Sequence, residues 1–132
     1  MDQFAVVVGA GSLRSSAADV VRFPHRWTPE GVTVAADFTG AHLLHVAAAG
    51  CVLNDVYREA GELGIRVDGV RVTASGGFDT RTWASTGITY RVELRSPASA
   101  DELDRLLARV DEVAEIPRAL RAGAPVRRAD LP

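Results

Sequence analysis

The chain has 132 residues, the size of one domain spanning 1–132, and that is long enough to bury roughly two-thirds of its unfolded surface without cross-links. Its composition is that of an ordinary globular protein, 47% hydrophobic and 24% charged, and a net charge of -2 argues against a broad nucleic-acid or polyanion surface. A single cysteine rules out an internal disulfide framework and makes a reducing cytoplasmic setting the default.

The first residues carry an acid where a signal peptide needs positive charge. The longest apolar run, Leu43 to Leu53, falls short of the roughly 20 residues that span a bilayer, and His45 interrupts it. Neither a membrane nor a nucleic acid is therefore expected as a partner.

Phe4 to Val8 reads as a short strand and Gly9 to Ser12 as the turn after it. The VVVGAGS stretch lacks the third glycine and the following amphipathic helix that a dinucleotide site requires, so a hairpin turn is the better reading. Asp19 to Phe23 and Val32 to Ala36 are two more strands, joined through HRWTPEG with its Pro and Gly. Together they predict an antiparallel meander.

Asp37 to Leu63 then reads as one long helix. Asp37 or Thr39 supplies the capping oxygen, and Gly61 and Gly64 close it. Ile65 to Asp79 alternates around Val67, Val70 and Val72, with a bulge or a strand end at Ser75 to Gly77. Ile88 to Leu94 alternates cleanly and predicts a half-buried partner strand. Ser99 and Glu102 form a capping box ahead of a helix with Leu103, Leu106, Leu107, Val110 and Val113 on one stripe. Pro117 breaks or restarts that helix, Ile116 to Arg121 is a short helix ending at Gly123, and Ala124 to Arg128 is a last edge strand. This order predicts an α+β fold with antiparallel sheets, not a doubly wound parallel one.

The long helix carries the chemistry-bearing residues. At about 100° per residue, Leu44, Ala47, Cys51, Asn54, Asp55, Arg58 and Glu62 share a face that is apolar before Cys51 and polar after it. That is the pattern of a thiol at a pocket edge. It is equally the pattern of a buried small hydrophobe beside a solvated helix end. Asp55 would raise the thiol pKa and Arg58 would oppose it. His42 and His45 lie on the other face with Val46, Ala49, Leu53 and Val56. A zinc site from His42, His45 and Cys51 needs ligands converging from one side, so neither a metal nor a cofactor is expected. Trp83, in the polar loop DTRTWASTG, lines a pocket or packs in a core or interface.

Two stretches, HLLHVAAAGCVLNDVYREAGELGIRVDGVRV and AEIPRALRAGAPV, carry a resemblance to the OsmC/Ohr family of thiol-dependent hydroperoxide reductases, over roughly Ala41 to Val126. The resemblance implies an OsmC-like fold and an intertwined homodimer, in which paired central helices bring the active sites to the interface. It also implies reduction of organic peroxides by a peroxidatic cysteine, which falls on Cys51. The family's resolving cysteine falls on Ile116 and its glutamate on Ala41, beside His42, so this chain departs from the pattern at both. The family's arginine comes from the N-terminal strands, where Arg14, Arg22 and Arg26 are all candidates. In an antiparallel helix pair, His42 or His45 would approach Cys51 of the other copy, as a base for the thiol or as a core hydrogen-bonding group.

Two functions follow from these residues. In one, a one-cysteine peroxidase uses Cys51, with His42 as its base and an external thiol as reductant. His45, Asn54, Asp55, Arg58, Arg22, Arg26 and Trp83 are then its pocket candidates. In the other, the family pocket is kept at the dimer interface and binds or transforms a small apolar molecule without peroxide chemistry.

Overall fold

The computed structural model describes residues 3–132. Strands β1 (Val6–Gly11), β2 (Val21–Phe23) and β3 (Val32–Ala35) precede the helix α1 (Gly40–Leu63). Strands β4 (Gly69–Phe78) and β5 (Ser85–Arg95) follow, then the helices α2 (Ala100–Val113) and α3 (Glu115–Ala122). The fold is α+β, as the element order implies.

All five strands join one antiparallel sheet in the order β2-β3-β1-β4-β5. The expected meander is corrected here: β1 pairs with β3 and with β4, while β2 lies at an edge beside β3. Burial decides this. Val6, Val8 and Ala10 on β1 are fully buried, whereas all three residues of β2 are exposed, so β1 takes the central place and β2 the rim. Gly9 to Gly11 belong to β1 rather than to a turn, and the chain turns after them, where Leu13 N donates to Ala10 O at 3.2 Å. The irregularity between Gly76 and Phe78 is the bulge that the glycines announced.

The edge strand expected at Ala124 to Arg128 does not form; those residues are exposed and irregular. One apolar residue, Val126, between a proline and two arginines offers too little burial to hold a sixth strand.

Helix α1 begins one turn later than Asp37. The Thr39 hydroxyl is the cap and accepts from His42 N at 3.1 Å. Gly64 ends the helix in the left-handed conformation at φ 69°, and its N–H reaches back to the last carbonyls. Ala49, Val52, Leu53, Val56 and Ala60 press α1 onto Val8, Val70, Val72 and Ala74 of the sheet. Leu106 and Val110 of α2 join the same core, with Ala114 at the α2–α3 junction. The opposite stripe of α1 is only partly covered by the described residues: Leu43 and Ala47 are exposed, and Leu44, Gly50, Cys51 and Asn54 are half-buried.

Candidate functional site

Cys51 sits mid-way along α1, where α3 begins. Ala114 ends α2 in an extended conformation, and the chain restarts as α3 at Glu115, with Pro117 buried in its first turn. Proline suits this place because the first turn of a helix has free N–H groups in any case. The restart brings the backbone amides of Ile116 and Glu115 near the Cys51 sulfur, where they favour the thiolate.

Other effects at the sulfur are stronger in sum. Burial pushes the Cys51 thiol above its ordinary value, and the charges of Asp55 and Glu115 push it the same way against the two amides. At neutral pH the sulfur is a protonated thiol.

Asp55, one turn after Cys51, is not on a solvated helix end. Its side chain is 3% exposed and its Oδ2 accepts no hydrogen bond. The nearest cation is Arg58, whose Nη2 lies 3.1 Å away. Desolvation outweighs Arg58 and holds the Asp55 carboxyl up at about 6, with Glu115 and Glu59 adding to the rise. Arg58 is shared: its Nε donates to Glu59 Oε2 at 3.2 Å, and its Nη2 lies 3.9 Å from Glu115. Glu59 also accepts from Arg109 Nε of α2 at 2.9 Å, which holds its carboxyl below the usual range.

The sulfur and one oxygen each from Asp55 and Glu115 lie within 4.8 Å of one another, close enough to share one cation. The Arg58 guanidinium already stands against both carboxylates, so the chain fills that electrostatic role itself.

Two crevices flank this part of α1. One, of about 240 Å³, opens between α1, β5 and α3; Ala48, Ile88, Tyr90, Pro117, Leu120 and Arg121 line it. Ala48 is one turn before Cys51, and Pro117 is next to Ile116. The other, also about 240 Å³, lies between α1 and the β2–β3 edge, lined by Phe23, His25, Val34, Val46, Gly50 and Asn54. There the His25 ring is fixed at both nitrogens: Nε2 lies 2.9 Å from Asn54 Oδ1 and Nδ1 2.6 Å from Thr28 Oγ1.

The structure brings Cys51, Asp55 and Arg58 together and joins Asn54 to the N-terminal loop. The other candidates lie elsewhere in the chain. His45 is buried at 1% exposure, its Nδ1 donating to Ala41 O at 2.7 Å, and its Nε2 faces Gly76 of β4. It is a core histidine turned to its own sheet. His42 is tied to its own chain by Thr39 Oγ1 at 2.7 Å, with Phe4 edge-on at 5.2 Å. Arg22 is exposed on β2, Arg26 stacks over Trp27 at 5.6 Å, and Arg14 donates to Gly11 O. Among the described residues, none of the three pairs with Asp55 or Glu115. Trp83 is 72% exposed at the tip of the β4–β5 hairpin, at φ 62°, and lines neither crevice.

His25, Glu59, Arg109 and Glu115 are site residues that the sequence reading missed. Glu115 had a signal, because it precedes Ile116 in the C-terminal stretch that the resemblance set beside Cys51. His25 lies in a turn sequence, and nothing local marks it as reaching a helix 29 residues on.

Known proteins share this fold. The family model for OsmC-like protein matches residues 33–128. Among solved structures, an OsmC-like protein from Mycoplasma pneumoniae superposes with a TM-score of 0.58 at 15% identity, over 81% of this chain and 89% of that one. An OsmC-like hydroperoxide resistance protein from Jannaschia sp. superposes with a TM-score of 0.53 at 13% identity, over 96% of this chain and 93% of the other. No curated protein matches the chain in sequence. The match of the family model over most of the chain, on the fold described above, makes this protein a member of the OsmC-like family.

Proposed function

We propose that this protein reduces organic hydroperoxides with Cys51 as its single redox-active thiol and an external thiol as the reductant. The observation that carries the reading is the setting of the sulfur. The backbone amides of Ile116 and Glu115 favour its thiolate, and its neighbour Ala48, one turn before it, lines with Pro117 an apolar crevice suited to an alkyl or aryl group. Position 116, where the family resemblance sets a resolving cysteine, is an isoleucine here, whose backbone amide favours the Cys51 thiolate. The sulfenic acid left by the first step must then be reduced by a thiol from outside the chain. Such a cycle fits a reducing, cytoplasmic compartment.

The unit we propose is a homodimer. The outer stripe of α1, with Leu43, Leu44, Ala47, Gly50 and Cys51, is apolar, small and only partly covered. Two such stripes packed together would bury it and would wall in the sulfur. The Jannaschia neighbour, described as a hydroperoxide resistance protein, supports the peroxide reading at the level of the family.

The raised thiol pKa favours a second reading, in which the crevice binds a small apolar molecule and Cys51 stays inert. One experiment separates the two. Purified protein is mixed with cumene hydroperoxide and excess dithiothreitol, and peroxide loss is followed beside Cys51→Ser. Turnover that requires the sulfur supports the peroxidase. Equal, background rates leave the binding reading, which a hydrophobic dye displaced by candidate ligands then measures.

A further inference from the structure

Where the resemblance sets a catalytic glutamate, this chain has Ala41, so a thiol that is protonated at neutral pH has lost its expected partner. The fold supplies another carboxylate. Asp55 lies one helical turn from Cys51, in the cluster whose donor atoms fall within 4.8 Å of one another. Its side chain is 3% exposed, and its Oδ2 accepts no hydrogen bond. Glu115, the other carboxylate of the cluster, is 64% exposed and keeps its water. A desolvated carboxylate is the stronger base of the two.

We propose that Asp55 is the general base for Cys51 and returns the proton to the leaving group. This rests on the peroxide reading of Cys51 given above. Asp55 takes the proton from Sγ as the sulfur attacks the terminal oxygen of the hydroperoxide. The S–O bond forms and the O–O bond breaks. The alkoxide leaves with the electron pair of that bond and takes the proton from Asp55, departing as the alcohol. The sulfur is oxidised by two electrons to a sulfenic acid, which keeps the hydroperoxide's own hydrogen on its oxygen, and the hydroperoxide is reduced by two.

The charged groups around Asp55 agree with the assignment. Arg58 and Glu59 face it from α1 and Glu115 from α3, while Arg109 of α2 is occupied with Glu59. The carboxyl is held at about 6, so it is ionised at neutral pH while Cys51 still carries its proton. A base and acid in those two states are what the step requires. Arg58 is a positioning residue: at 3.1 Å it keeps the carboxylate in place and ionisable.

The test is Asp55→Asn, read by single-turnover oxidation of Cys51 with cumene hydroperoxide, trapping the sulfenic acid with dimedone and weighing the adduct. Iodoacetamide alkylation runs in parallel. Removing the aspartate charge lowers the thiol pKa, so a purely repulsive Asp55 predicts faster oxidation in the variant. As general base it predicts the opposite: oxidation slower by at least about tenfold near neutral pH, although more thiolate is present. The wild-type rate then rises with pH through about 6, and the variant lacks that limb. A variant rate equal to or above wild type overturns the proposal. If wild-type Cys51 is not oxidised by the peroxide at all, the peroxide reading fails and alkylation decides on Asp55. Slower alkylation of the variant near neutral pH upholds the base, and equal or faster alkylation overturns it.

Discussion

Ile116, at the start of α3, meets Cys51 in the middle of α1, and its backbone amide favours the thiolate there. Without a second cysteine at that position, the contact is electrostatic and not a route to a disulfide. It opposes, but does not cancel, the rise in thiol pKa that burial and the two carboxylates produce. Cys51 is expected to react sluggishly with iodoacetamide at neutral pH, and its thiolate absorbance should appear with a midpoint above the ordinary 9.0. A midpoint below that value would mean that the amides outweigh burial.

Asp55 and Glu59 are neighbours with opposite pH signatures. The folded pKa of Asp55 is raised from 3.8 to about 6, so its carboxylate destabilises the fold above that range, and the cost fades as pH falls through 6 towards 3.8. The folded pKa of Glu59 is lowered, so its contribution is present above its ordinary value and is lost as pH falls through the lower one. Asp55→Asn should raise the melting temperature at mildly alkaline pH and lose that advantage in acid. Glu59→Gln should lose about 2 kcal/mol at neutral pH, because two charge-assisted hydrogen bonds from Arg58 and Arg109 go with it. Thermal melts across pH read both signs.

His25 ties the N-terminal loop to the central helix through Asn54, with Thr28 on its other nitrogen and Tyr57 edge-on at 5.6 Å. His25→Ala should cost about 1–2 kcal/mol, the range of a lost hydrogen bond that leaves a partly buried partner unpaired. Urea unfolding of the variant measures it. A change within error would mean that water replaces the ring at no cost.

The partly exposed apolar stripe of α1 predicts self-association. Ala47→Arg puts a charge at its centre and leaves the sheet-facing side of the helix untouched. Sedimentation should show a dimer for the wild type and a monomer for the variant, with helix content by circular dichroism unchanged. A monomeric wild type at micromolar concentration removes the dimer from the proposal.

Gly76 tests the packing at the bulge. A Cβ there would lie 2.2 Å from the Gly87 carbonyl oxygen and 2.8 Å from His45 Nε2. Gly76→Ala should therefore destabilise by about 2 kcal/mol or more, in the range of overpacked cores. Gly61→Ala, with nothing within 4 Å of its Cβ position, should be neutral or slightly stabilising in the same melts.

Local signals in the sequence determined the elements. Apolar periodicity marked α1, α2, β4 and β5, Thr39 and Ser99 marked helix starts, and Gly64 marked an end, because these depend on residues a few positions apart. The stretch around Cys51 carried the family likeness for the same reason. What only the tertiary structure decided depends on contacts between distant parts of the chain. Burial assigned β1 to the sheet centre and β2 to its rim, so β1 pairs with β3 and not with β2, its neighbour in the chain. Helical spacing placed Asp55 beside Cys51 and Arg58 beside Asp55, but only the folded chain revealed that Asp55 is desolvated. His45 reads like a candidate base until the sheet closes over it. The ionisation state of a side chain is set by all that surrounds it, and a sequence shows only what is adjacent along the chain.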